Sequence, residues 1–157
     1  MKQYIMGLLI FAIGWVSASL VGLAMLPVES PLGEQSTELA SPHDWVKQEQ
    51  IRVDKEKVVL LIENAQIATF ANTNSMDPLL DENSHGIEII PQNPEDIHVG
   101  DIISYRSGSD TIIHRVVSIN LDEEGYFYTL KGDNNPVEDP EKVRFEQVER
   151  LLVGIIY

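Results

Sequence analysis

The sequence predicts a mainly β fold, a small barrel or a folded double sheet, tethered by one N-terminal transmembrane helix. Three observations predict it. The run Tyr4–Leu26 carries no charge. From Gln50 onward, short β-branched and aromatic runs alternate with turn residues such as Glu-Asn, Ser-Gly-Ser and Glu-Glu-Gly. No long amphipathic helical pattern interrupts them, and only Glu141–Glu149 suits one or two helical turns.

In chain order, the anchor comes first. At about 1.5 Å rise per residue, Tyr4–Leu26 spans a hydrocarbon core of roughly 30 Å. It exceeds the apolar core of about 7–15 residues expected of a cleavable signal peptide, the competing reading. Lys2 precedes it, and Glu29, Glu34, Glu38 and Asp44 follow before the first base, Lys47. This asymmetry places the N-terminus in the cytoplasm and the rest of the chain outside a cell membrane, in single-pass topology. Gly14, Ala18 and Gly22 form a small-residue stripe of the kind that pairs membrane helices. The chain thus divides into an anchor at 1–28, a polar linker at 29–46 rich in Pro, Ser, Glu and Gly, and a β-rich domain at 47–157. Trp45 suits either the headgroup level or packing on the domain.

Strands are expected at Gln50–Val53, Lys57–Ile62, Gln66–Ala71, Ile87–Ile90, Asp101–Arg106, Thr111–Ile119, Tyr126–Lys131 and Leu151–Tyr157. Val58–Ile62 and Ile112–Val117 carry apolar residues on both faces, which suits strands covered on both sides.

Composition narrows the chemistry. The 157 residues carry 25 acids against 11 bases, a formal net charge of −14. A nucleic-acid partner needs a basic face, so none is expected. There is no cysteine, which excludes disulfides, thiolate zinc sites and cysteine catalysis. His43, His85, His98 and His114 are scattered without metal-binding spacing, so neither a metal nor a cofactor is expected. His85 and His98 lie near turn residues and read as solvated.

What remains is a serine, a histidine and two aspartates. Ser75 lies in Asn72–Leu80, a Ser-Met-x-Pro turn directly after an apolar run. Pro78 fixes one dihedral there and restricts Asp77 before it. A serine hydroxyl is a poor nucleophile until a neighbour takes its proton. His114, in Ile-Ile-His-Arg-Val-Val, is the available base, and imidazole accepts and returns protons near neutral pH. Asp133, in Lys-Gly-Asp-Asn-Asn, and Asp139 are both placed to orient its ring, as the third member of a triad does. Singly, each residue has an ordinary structural use; the set points to hydrolysis.

In order, Thr-Asn-Ser75-Met-Asp-Pro, Val-Gly-Asp-Ile-Ile-Ser-Tyr-Arg at 99–106, Ile-Ile-His114-Arg-Val-Val and Lys-Gly-Asp133-Asn-Asn…Asp139 resemble the boxes of type I signal peptidases. These are membrane-anchored serine proteases, and the resemblance covers 72–139. Bacterial members place a lysine where this chain has His114, so it looks like the archaeal and endoplasmic-reticulum branch. The resemblance implies a signal-peptidase-type fold. It makes Ser75 the nucleophile, His114 the general base and Asp139 the orienting carboxylate, with Asp133 holding the site's shape or sharing that role. Thr73, two residues before the nucleophile, and the Ser75 amide would form the oxyanion hole. The implied substrates are preproteins bearing signal peptides, met at the lipid bilayer. Two other functions fit the same features: a specialised processing protease with other clients, and a non-catalytic anchored β-domain that binds extracytoplasmic proteins.

Overall fold

A computed structural model describes residues 38–157 of the chain. The anchor expected at Tyr4–Leu26 and its small-residue stripe lie outside the described residues. Among the described residues no helix is long and apolar enough to cross a membrane.

The described part is mainly β and wholly antiparallel. Nine strands form it: β1 (Ile51–Val53), β2 (Val58–Leu60), β3 (Gln66–Thr69), β4 (His85–Ile89), β5 (Ile102–Ser107), β6 (Asp110–Asp122), β7 (Gly125–Lys131), β8 (Val143–Arg144) and β9 (Val148–Ile156). β1 and β2 pair as a two-stranded hairpin, and the other seven make one sheet in the order β3-β4-β9-β5-β6-β7-β8. The chain's last strand is an interior one, since β9 inserts between β4 and β5.

Local chemistry explains the turns. β6 and β7 meet at Glu123–Glu124, closed by Gly125 at φ 108°, a conformation a side chain disfavours. The sheet buries apolar side chains on more than one side. Ile97, Ile103, Tyr105, Val116, Tyr128, Leu130, Val143 and Leu151 make the main core. Met76, Leu80, Ile102 and Leu152 make a second cluster, with Phe70 and Ile113 against it. The second cluster matters for function, because it fastens the segment Phe70–Leu80 onto the sheet. Met76, next to Ser75, is 3% exposed.

The helical turns expected over Glu141–Glu149 are instead strand β8, a 3₁₀ turn at Phe145–Gln147 and the start of β9. Val143 pairs with Tyr128 and is wholly buried, so sheet pairing and burial outweigh the helical pattern. The residues before β1 are held to the sheet. Asp101, fully buried, accepts hydrogen bonds from the His43 amide (2.8 Å), Trp45 Nε1 (3.1 Å) and the His98 amide (2.9 Å). Trp45 packs against the main core. His98 is partly exposed, and its ring stacks on His43 with centroids 4.2 Å apart.

Candidate active site

The site is assembled from three segments: the turn after β3, the middle of β6 and the loop after β7. In the first, Asn74 sits at φ 60°, a left-handed conformation that asparagine tolerates. The resulting turn brings Thr73 Oγ1 and Ser75 Oγ to 3.1 Å. The Ser75 carbonyl accepts the Asn134 amide at 2.9 Å, and Asn134 Nδ2 donates to the Asn74 carbonyl at 2.9 Å. A Cβ on Gly132 would lie 2.6 Å from the Ser75 carbonyl oxygen and 2.7 Å from Asn135 Nδ2. Only glycine therefore lets the turn after β7 close on the serine segment.

His114 lies in the middle of β6, opposite Ile103 of β5. Its Nδ1 is 2.6 Å from Asp139 Oδ2, and the two side chains are 8% and 13% exposed. A carboxylate oxygen accepts, so Nδ1 carries the proton, and in the neutral ring the lone pair is then on Nε2. The same Asp139 oxygen accepts the Tyr105 hydroxyl at 2.9 Å. Tyr105 is 1% exposed. Burial, and then the hydrogen bond and charge of Asp139, hold its hydroxyl pKa well above the ordinary tyrosine value. The tyrosine therefore stays a neutral donor. Asp139 is fixed from its backbone as well, since its amide donates to the Leu130 carbonyl at 2.8 Å.

Asp133 takes a different partner. Arg115 grips it with both fork nitrogens, Nε to Oδ1 at 2.8 Å and Nη2 to Oδ2 at 2.6 Å. Arg115 Nη1 donates to the Gly100 carbonyl at 2.8 Å and the Ala40 carbonyl at 3.1 Å. Both side chains of the pair are 7% exposed. Asp133 thus ties the loop after β7 to the segment before β1, while Asp139 faces the histidine.

Ser75, Thr73 and His114 line one cleft of about 640 Å³, with Ala68–Ala71 on one side and Thr111–Ile113 on the other. Among the described residues the Ser75 hydroxyl hydrogen-bonds Thr73, not His114, and the Ser75 amide donates to no group. Sequence reasoning did not identify Tyr105, Arg115 or Gly132 as site residues. Arg115 carries a readable signal, adjacency to His114 on a strand, which sends the two side chains to opposite faces. Tyr105 lies in the 99–106 box, but nothing there points to Asp139, which is far from it in sequence. Among the described residues no group of three His, Asp or Glu side chains is arranged to hold a metal ion.

Comparison with known proteins is sparse. No protein-family model matches the chain, and no solved structure matches it. An uncharacterized protein of Methanocaldococcus jannaschii is 35% identical over 51 residues, which is 32% of this chain and 25% of that protein. The chain therefore spans about a quarter of the length of this curated relative.

Proposed function

We propose that this chain is a membrane-anchored serine endopeptidase, similar to type I signal peptidases of the histidine-dependent branch, that cuts signal peptides from exported preproteins. One observation carries the reading: Ser75 and His114 line a single cleft, and the His114 ring is held from behind by Asp139 at 2.6 Å. The fold class expected for such an enzyme, a β-rich catalytic domain behind an N-terminal transmembrane helix, is part of the proposal. So is its placement: N-terminus cytoplasmic, catalytic domain on the outer face, where signal peptides emerge. β3, which leads into the Ser75 turn, exposes Ile67 at 63%, an apolar group suited to a bilayer surface.

The chemistry proposed is that of a serine–histidine–aspartate triad. Ser75 Oγ attacks the scissile carbonyl carbon as His114 Nε2 takes the hydroxyl proton. Asp139 keeps that proton's counterpart on Nδ1 and stabilises the imidazolium. The free Ser75 amide and the Thr73 hydroxyl donate to the developing oxyanion. One such donor is worth about 3–4 kcal/mol of transition-state stabilisation. The tetrahedral intermediate collapses with proton transfer from His114 to the leaving amine. A water molecule, deprotonated by the same nitrogen, then releases the acyl group from Ser75.

A fluorophosphonate probe tests this directly. Covalent labelling at Ser75 that is lost in His114→Ala is expected. Absence of labelling in the wild type would contradict the reading. It would favour a non-catalytic binding domain, to which the Ser75–Thr73 hydrogen bond, in place of a Ser75–His114 one, gives support.

A further inference from the structure

Part of the cleft lining is charged. Glu88 of β4, Ser104 of β5 and Glu149 and Arg150 of β9 line it with Thr111. Glu88 and Ser104 are 7% and 6% exposed, and Ser104 stands opposite Arg150 across β5 and β9. These polar groups are not used up internally. Arg150 Nη1 is buried and has no hydrogen-bond partner among the described residues. No hydrogen bond reaches the Glu88 carboxylate among the described residues; its charged neighbours are Arg150 and Glu149. Glu149 is already engaged, by Thr111 Oγ1 at 3.2 Å and Arg106 Nε at 3.4 Å. Buried donors are nearly always paired, so an arginine that lines a cleft with an orphaned guanidinium nitrogen calls for an acceptor from outside.

We infer that Glu88 and Arg150 form a specificity subsite for a carboxamide side chain, asparagine or glutamine, on the peptide substrate. The inference rests on the peptidase reading and adds a substrate class to it. A carboxamide presents an oxygen to the Arg150 guanidinium and an N–H to Glu88, satisfying both with one planar group. Ser104 beside them can donate or accept. An aliphatic side chain would cover both groups and pair neither. An acidic side chain would face Glu88 and Glu149, and a basic one would face Arg150. Two opposite charges lining one site therefore select a neutral group with both hydrogen-bonding functions. None of these four residues belongs to the catalytic set, so the subsite sets choice of substrate, not the reacting bond.

The test uses full-length protein in detergent and a positional-scanning peptide library varied at each position flanking the scissile bond. At one position, Asn or Gln is expected to exceed Leu, Val, Asp, Glu, Lys and Arg by at least about tenfold in kcat/KM, since sites built to hydrogen-bond a substrate reject analogues lacking the group. Arg150→Met and Glu88→Met should each lose that preference. The wild-type profile decides the matter even where a variant fails to fold. Cleavage with an apolar or charged preference, or none, at every position overturns the subsite and leaves the peptidase reading standing. The same library is also measured for binding to Ser75→Ala. Carboxamide-selective binding without cleavage by the wild type would overturn the peptidase reading and keep the subsite. Neither binding nor cleavage would overturn both.

Discussion

His114 and Arg115 are neighbours on β6, and each takes a carboxylate from the loop after β7, yet the two pairs differ in kind. Arg115–Asp133 is a fixed, bidentate pair whose guanidinium also spans two backbone carbonyls. Every polar contact it makes is to the protein. His114–Asp139 uses one ring nitrogen and leaves the other available in a cleft. Strand alternation sends consecutive side chains to opposite faces, so one step along β6 separates a structural tie from a group able to transfer protons. Similar chemistry in adjacent positions therefore carries different consequences for folding and for reaction.

The comparison can be broken from either side. The largest effect is expected from His114→Ala, which removes the base; kcat should fall by about 10⁴-fold or more, as in triads where the members act as a unit. Asp139→Asn should lower kcat by roughly 10²–10⁴-fold with a modest change in unfolding free energy, because it impairs ring tautomer and orientation. Asp133→Ala should do the reverse. It leaves the buried Arg115 charge uncompensated, and chemical denaturation should show a loss of about 3–5 kcal/mol. If the two aspartate variants instead behave alike in both measurements, the distinction drawn between them fails.

Smaller effects sharpen the picture. Gly132→Ala places a Cβ against the Ser75 carbonyl and should cost both stability and activity, since the serine turn must shift. Tyr105→Phe should cost about 0.5–1.5 kcal/mol, the net value of one hydrogen bond. Its pH dependence has a definite sign. The Tyr105 hydroxyl pKa is raised in the folded state, so its stabilising contribution is complete below the ordinary tyrosine value near 10. That contribution is lost as pH rises through the folded value, and denaturation at alkaline pH should show the wild type and Tyr105→Phe converging. Glu88 gives the smallest effect. Burial raises its pKa, so ionising it costs stability as pH climbs from the acid range. Glu88→Gln should therefore stabilise the protein at neutral pH and lose that advantage in acid.

Much of the fold was legible because it depends on local pattern. Eight of the nine strands follow period-2 or continuous apolar runs between turn residues, and the Glu-Glu-Gly turn sits where β6 meets β7. β8 was not legible, since two residues carry no periodicity and Val143 is strand only through Tyr128 beside it. The serine, histidine and aspartates were legible as residue types in an ordered set. Which aspartate faces the ring was not readable from spacing, because it depends on where Arg115 reaches. The Glu88–Arg150 pair left no signal either. Each lies in a strand where a charged residue reads as solvated, and only the sheet order of β4, β9 and β5 brings both to one cleft. Asp101 was similarly hidden, for it reads as a turn residue after Gly100 and is a fully buried acceptor.

The most direct test of the central claim is preprotein cleavage by the full-length protein in membranes or detergent, wild type beside Ser75→Ala. A released signal peptide is expected with the wild type and none with Ser75→Ala. Equal cleavage by both, or no cleavage of a panel of preproteins by the wild type, would contradict it.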